Sequence, residues 1–364
     1  MKKIVIIGAG FAGLEAARIL SRLRKDIEVK VIDKKDTVDF LPTMPDCIGR
    51  GINPEHLSYP IDKLTRKFRF SFIKDEVKSI DLQNRVISTF TSTFTYDFLI
   101  IASGSETNFY GNDDLRKHAY KLDDVSDTRK IVDVLKNRQF DNYLIGGGGY
   151  TGVEVATNLK LFLNKAKKTG RVVIMERAPD ILGPLPAWMK DYVKANLKRL
   201  GIGVSVNSTI EESDDERTMV IWAAGVKTSA FIQNLQVEKN PQGRIKVDGY
   251  LRLNESCFVI GDAAYFEYNK NYLRMAMQFA IFQGNSAAKN IIRSIKGKSL
   301  KKFKPMDLGY IIPMANNRSC GTVFGVNLKG RLPTLLHFIM CIYRSYGFKN
   351  KFGIIGNLLT GGRR

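Results

Sequence analysis

The stretch KKIVIIGAGFAGLEAARIL, Lys2 to Leu20, decides the fold. Ile4 to Ile7 is a short, continuous apolar run of the kind that forms a strand buried on both faces. Gly8, Gly10 and Gly13 follow as G-x-G-x-x-G, and Leu14 to Leu20 reads as a helix. Gly8 permits the tight turn, Gly10 lets the backbone approach a pyrophosphate, and Gly13 lets helix pack on strand. Phosphates then sit at a helix N-terminus, where free N–H groups and the dipole favour negative charge. A second strand, IEVKVID, ends on Asp33, whose carboxylate can accept hydrogen bonds from a ribose diol. Glycines alone also mark plain turns. Strand, glycines, helix, strand and acid in this order argue for a dinucleotide.

The pattern then repeats. NYLIGGGGYTGVEVATNL, Asn142 to Leu159, supplies a strand, then Gly147, Gly149 and Gly152, then a helix from Val153. RVVIMER follows as a strand ending on Glu176. Two complete fingerprints imply two dinucleotide sites, and the simplest chemistry joining them is hydride transfer from a nicotinamide to a flavin. Glu176 favours NADH, because a carboxylate beside the 2′-oxygen repels the extra phosphate of NADPH; Arg177 next to it leaves NADPH open.

Three more segments set the domain order. YDFLIIASGSETNF, Tyr96 to Phe109, is a strand ending in A-x-G, with Ala102 and Gly104, where a chain often leaves one domain for the next. MVIWAAGVKTS, Met219 to Ser229, carrying Ala224 and Gly225, is the matching return strand. CFVIGDAAYF, Cys257 to Phe266, is a strand ending on Gly261-Asp262. Asp262 is expected at the ribityl and pyrophosphate part of a flavin, its alternative being a simple helix N-cap. The expected class is therefore α/β, with two Rossmann-like dinucleotide-binding domains, the second inserted in the first. We expect an FAD-binding domain over 1–108 and 243–299, an NADH-binding domain over 109–242, and a C-terminal docking and dimerisation region over 300–364.

Composition narrows the partners. The chain has 364 residues, with 57 Lys+Arg against 36 Asp+Glu and a formal charge of +21. That balance points to an anionic partner, either nucleic acid or an anionic membrane face. Cys47, Cys257, Cys320 and Cys341 lie far apart with no C-x-x-C pair, which fits a reducing compartment and removes zinc-ribbon and local dithiol readings. His56, His118 and His337 are equally scattered, so no metal site is expected. No secretory signal and no run long enough to span a bilayer are read from the sequence.

The segments YDFLIIASGSETNFYG, GGGYTGVEVA, IWAAGV and FVIGDAA resemble those of the type II NADH dehydrogenases, single-subunit NADH:quinone oxidoreductases among the two-dinucleotide flavoprotein reductases. FKPMDLGYIIPMANNRSCGTVFG and RSYGFKNKFGII resemble that family's C-terminal region, so the likeness runs over essentially the whole chain. The resemblance implies FAD on the first fingerprint, with Gly8, Gly10, Ala12, Gly13, Asp33, Lys34, Ala102, Gly104, Gly261, Asp262, Met277 and Gln278 around it. It implies NADH on the second, with Gly147, Gly149, Tyr150, Gly152, Glu176, Ala224 and Gly225. Glu154 matches a family glutamate near the nicotinamide–flavin contact; a helix N-terminal carboxylate favoured by the dipole is the alternative.

The resemblance also implies that quinone is reduced on the opposite side of the flavin, with no ion pumping. There AMQFAIFQG, Ala276 to Gly284, is similar to the family's glutamine-bearing stretch, and it makes Gln278 and Gln283 catalytic candidates. Phe282 stands where the family has its second glutamine, and Met277 where it has an alanine, so the acceptor pocket is altered. DFLPTMPDCIG, Asp39 to Gly49, keeps Phe40 and Pro42 of the segment lining that side. Between Ile210 and Met219 the chain is short, as if a hairpin were missing.

LLHFIMCIYRSYGF, Leu335 to Phe348, is largely apolar, and GIIGNLL follows. Lys329, Arg331, Lys349 and Lys351 flank these pieces, which suits segments lying in a membrane interface with the apolar face in the acyl boundary. A quinone with a lipid tail stays in the bilayer, so the enzyme must come to it. Peripheral attachment at the cytoplasmic face of the cell membrane is expected, with a homodimer contact as the other use of this surface. Other readings stay open: a sulfide:quinone oxidoreductase, which needs converging cysteines; a soluble NAD(P)H diaphorase, which Phe282 favours; and a nucleotide-sensing nucleic-acid-binding protein. For the last no recognition motif is present, and no nucleic acid is expected.

Overall fold

The computed structural model describes residues 1–23, 26–211, 215–269 and 271–361, so part of the shortened Ile210–Met219 connection lies outside the described residues. The chain forms two compact units, each assembled from three stretches: Met1–Val38, Pro60–Glu106 and Val226–Asp307 in the first, Asp39–Tyr59, Thr107–Gly225 and Leu308–Arg364 in the second.

The first unit is built on a five-stranded parallel sheet in the order Cys257–Val259, Phe98–Ile101, Lys2–Ile7, Ile27–Asp33, Ser71–Lys74. Ile4 to Ile7 are all buried, as a central parallel strand covered on both faces requires. On one face the Phe11–Leu20 helix packs along the Met277–Ile295 helix. Gly284 makes that approach possible, since a Cβ there would stand 2.3 Å from the Ala12 carbonyl oxygen. On the other face Val5, Ile7, Leu99, Ile101 and Val259 share a core with Ile80 and Ile87 of an antiparallel sheet, Val77–Asp81, Val86–Thr89 and Thr93–Thr95.

The second unit carries a four-stranded parallel sheet in the order Ile202–Val206, Arg171–Glu176, Asn142–Gly146, Thr218–Trp222. In chain order these strands fall between Phe98–Ile101 and Cys257–Val259 of the first sheet, so the second nucleotide fold is inserted in the first. Phe109, Leu115, Ile210, Val220 and Trp222 form a core against this sheet.

The C-terminal stretch of this unit is an antiparallel sheet, Gly309–Ile312, Ser319–Val323 and Val326–Gly330, and then two helices, Arg331–Arg344 and Phe348–Thr360. Gly347 turns the chain between them at φ +77°. The last helix is fastened on its inner side. Gly353 is a notch for the His56 ring, since a Cβ there would meet that ring at 2.5 Å. Asn357 Oδ1 lies 2.9 Å from His56 Nδ1 and accepts from the Asn53 amide at 3.0 Å. Lys165 Nζ donates to the carbonyls of Gly49 and Gly361, closing two helix C-termini with one cation. The outer faces are bare: Leu332, Leu335, Ile339, Met340 and Tyr343 on the first helix and Phe348, Phe352 and Leu359 on the second are exposed. Among the described residues no helix is long and apolar enough to cross a membrane.

Candidate functional site

The first glycine loop has the geometry its spacing demands. Gly8 sits at φ +100°, and a Cβ there would stand 2.3 Å from the Ala102 carbonyl oxygen, so strand and loop touch through bare backbone. Gly13 meets the Gly8 carbonyl oxygen at 1.9 Å by the same measure. Gly10 differs: its Cβ position has nothing within 4 Å. It is the N-cap of the Phe11–Leu20 helix, so the open space lies where that helix presents its unpaired N–H groups. Asp33 closes the loop, Oδ2 accepting from the Ala9 amide at 2.7 Å and Oδ1 from the Lys35 amide at 2.9 Å. Neighbouring Lys34 is exposed, 3.9 Å from Glu76.

The second loop repeats this arrangement inside the second unit. Gly147 sits at φ +102°, its Cβ position 2.8 Å from Ala224 Cα, and Gly152 meets the Gly147 carbonyl oxygen at 1.8 Å. Gly149 is the open position and the N-cap of the Tyr150–Ala166 helix. Glu176 Oε2 accepts from the Gly148 amide at 2.6 Å and Oε1 from the Ala178 amide at 2.8 Å, while Arg177 is exposed. Gly225, at φ +102°, lies under the Tyr110 hydroxyl, and Tyr150 stands edge-on to Tyr310 with ring centroids 6.0 Å apart. Each loop is therefore a cradle open at a helix N-terminus, where negative charge is favoured, and closed by its own carboxylate.

The Gly261-Asp262 turn belongs to the first cradle. A Cβ on Gly261, at φ +68°, would lie 3.2 Å from Ala12 Cβ, so the turn rests against the start of the Phe11–Leu20 helix. Asp262 Oδ2 accepts from the Ser105 hydroxyl at 2.9 Å, one residue beyond Gly104, which is itself at φ +67°. Burial pushes the Asp262 carboxyl up, opposed by the Ser105 hydrogen bond and the charge of Arg244. The side chain of Asp262 caps no helix, so the plain N-cap alternative fails.

The two glutamines part company. Gln283 is 2% exposed, and its Oε1 accepts from the Gly261 amide at 2.6 Å, which makes it part of the cradle's floor. Gln278, one residue after Met277 opens the helix, donates to Asp307 Oδ1 at 3.2 Å. Asp307 is also held by both terminal nitrogens of Arg274, at 2.6 and 2.8 Å. In the second unit Phe40 is buried, and its amide donates to the Leu57 carbonyl at 2.7 Å.

Glu154 lies past the first turn of its helix. Burial, and then the charge of Asp46, push its carboxyl well up from the usual carboxylate range. Around it stands a group of buried polar side chains that no motif announces. Asp46, pushed up to about 6 by burial against the pull of Arg50, pairs with Arg50 at 3.0 Å. Arg50 donates to the Met314 carbonyl at 3.0 Å and covers the Phe338 ring at 5.0 Å. His337 is pushed down to about 4, by burial and then by Arg50, and its Nε2 lies 3.6 Å from Cys341 Sγ. Asp46 and Arg50 are one helical turn apart, the only sequence signal for this pair. Arg244 was missed too, a single arginine in NPQGRIKVD with nothing periodic around it.

The four thiols are all free and buried. Burial pushes Cys320 up to about 12 and raises Cys47, Cys257 and Cys341 as well, so none is a thiolate at neutral pH. Among the described residues no group of His, Cys, Asp and Glu could hold a metal ion.

Comparison with known proteins places these cradles in context. A Staphylococcus aureus protein called Type II NADH:quinone oxidoreductase is 26% identical over 370 residues, covering 91% of this chain and 92% of that protein. The structure of NDH2 from Plasmodium falciparum in complex with NADH superposes with a TM-score of 0.87 at 19% identity, over 100% of this chain and 99% of that one. The sulfide:quinone oxidoreductase of Aquifex aeolicus shares the fold with a TM-score of 0.80 at 17% identity, over 97% and 92%. Residues 2–284 match the pyridine nucleotide-disulphide oxidoreductase family, and with both glycine cradles in place the chain belongs to that family.

Proposed function

We propose that this protein is an FAD-dependent NADH:quinone oxidoreductase of the type II class, with FAD in the first cradle and NADH in the second. The observation that carries this reading is the duplicate cradle, two open glycine positions at two helix N-termini, each closed by its own carboxylate. Bound FAD supplies the step between a two-electron hydride donor and the acceptor. The chain's own residues bind and orient: Gly10 and Gly149 admit the pyrophosphates, and Asp33 and Glu176 take the riboses. The Staphylococcus aureus relative, alike over nearly its full length, supports quinone as the acceptor.

Membrane attachment is the second part of the proposal. The exposed apolar faces of Arg331–Arg344 and Phe348–Thr360, with Lys349 beside them, suit an anionic leaflet such as the cytoplasmic face of the cell membrane. A homodimer contact is the competing occupant. Co-sedimentation with anionic vesicles, read beside the oligomeric state in detergent-free buffer, separates the two.

The sulfide-oxidising alternative shares the fold but needs a reactive thiol, and burial keeps all four cysteines protonated. Anaerobic stopped-flow at the flavin band tests the reading. NADH is expected to bleach the flavin and a water-soluble quinone to restore it. Bleaching without recovery on quinone overturns the acceptor, and bleaching by sulfide alone overturns the donor.

A further inference from the structure

Arg244 is 2% exposed and, among the described residues, no carboxylate is a hydrogen-bond partner of it. Its guanidinium instead grips three main-chain carbonyls: Nε donates to Asp262 at 3.1 Å, one terminal nitrogen to Leu273 at 3.2 Å, the other to Ala264 at 2.5 Å. All three lie on the segment that makes the Gly261-Asp262 turn and leads toward the Met277–Ile295 helix. The next residues, Ile245–Lys246, pair with Ala264–Tyr265, so the arginine is fixed alongside the turn it holds. The rigid planar fork of the guanidinium fixes the three carbonyls relative to one another, where a flexible ammonium would have one point of attachment.

A buried cation needs an anion nearby. Here that anion is the Asp262 carboxylate, the largest favourable charge acting on Arg244. The remaining groups bearing on the pair are neutral or already engaged. Tyr265 and Tyr272 stand on the arginine's side and the Ser105 hydroxyl on the aspartate's. On the two helices packed nearby, Gln283 of Met277–Ile295 accepts from the Gly261 amide and Glu15 of Phe11–Leu20 is tied to Arg18 at 2.7 Å. Asp262 itself stands beside the helix N-terminus that receives a pyrophosphate. A carboxylate next to a pyrophosphate stays ionised and acceptor-only where a fixed positive charge backs it.

We propose, resting on the reading of the first cradle as the FAD site, that Arg244 is a positioning residue for FAD: its grip on the turn sets where the Asp262 carboxylate stands, and its charge keeps that carboxylate an acceptor for the ribityl hydroxyls. Release of FAD from the holoenzyme, followed by the rise of flavin fluorescence from pH 5 to 8, tests this in wild type, R244K, R244M, D262N and the double variants. R244M is expected to release FAD at least tenfold faster at pH 7, with acid-promoted release moved to higher pH. R244K keeps the wild-type pH midpoint, because it keeps the charge, and releases FAD at an intermediate rate. D262N removes the pH dependence, and its effect shrinks in the R244M background. Wild-type release and midpoint in R244M, or effects of R244M and D262N that simply multiply, overturn the proposal. Should R244M fail to fold, D262N in the R244K background still answers, since equal effects of D262N in both backgrounds overturn the grip. A wild-type protein that carries no flavin sinks the cofactor reading instead.

Discussion

Gly10 and Gly13 lie on the same loop and do opposite work, and a single methyl group separates them. At Gly10 a Cβ meets nothing within 4 Å, so Gly10→Ala is expected to fold normally while filling the space a pyrophosphate needs. Its melting temperature should match wild type, and FAD should leave at least ~10-fold faster. At Gly13 the same methyl collides with the Gly8 carbonyl oxygen at 1.9 Å. Gly13→Ala should therefore cost about 1–3 kcal/mol of stability by denaturant titration, before any ligand is considered. In the second cradle the proposed role of Glu176 in nucleotide choice has a direct test. Glu176→Gln removes the charge that repels a 2′-phosphate, and the kcat/KM ratio of NADH to NADPH should fall by roughly 10–100-fold.

His337 and Asp46 pull the acid stability in opposite directions. The folded pKa of His337 is lowered to about 4 from 6.5, so stability is lost as pH falls through that window, by up to about 3 kcal/mol. The folded pKa of Asp46 is raised to about 6 from 3.8, so its contribution is largest at low pH and is lost as pH rises through 6. The two trends oppose each other between pH 6 and 4. Urea midpoints across that range should fall more steeply in Asp46→Asn and flatten in His337→Gln.

At the scale of elements, the sequence was most legible where structure is local. Each cradle is written in consecutive residues, and the open and closed glycines follow from spacing alone. The C-terminal helices were legible as apolar pieces, and the structure adds which face is bare. What stayed hidden is tertiary. Arg244 reaches carbonyls on a turn and on the lead-in to another helix, and Arg50 reaches Met314 from the far end of the chain, contacts without periodicity to announce them. Gln283 matched a family glutamine in sequence, yet its side chain is spent on the Gly261 amide. The exposed helix face makes its own prediction. Replacing Leu335, Ile339 and Tyr343 together by serine should abolish co-sedimentation with anionic vesicles, since each buried apolar side chain contributes on the order of 1.5–3 kcal/mol. Turnover with a water-soluble acceptor should persist. Gly353→Ala acts from beneath on the helix that follows, Phe348–Thr360, because its methyl strikes the His56 ring. It should loosen the last helix, read as faster amide exchange across Phe348–Thr360.

At the scale of the molecule, a formal charge of +21 makes association with an anionic surface strongly dependent on ionic strength. Vesicle binding should weaken steeply as salt is raised, each interfacial Lys or Arg adding about 1 kcal/mol at low salt. Apolar anchoring leaves a residue of binding that salt does not remove, and the serine triple variant should lose that residue.

The buried thiols carry a different consequence. Cys257 lies in the first unit and Cys47, Cys320 and Cys341 in the second, and all four are sealed from water. An alkylating reagent can mark them only when the chain around them opens, so the cysteines are built-in clocks for opening. Peptide masses after timed alkylation would show which unit opens first, with no engineered probe site in the protein. If bound FAD slows only the Cys257 clock, and NADH only those of Cys47, Cys320 and Cys341, each ligand has reported its own address.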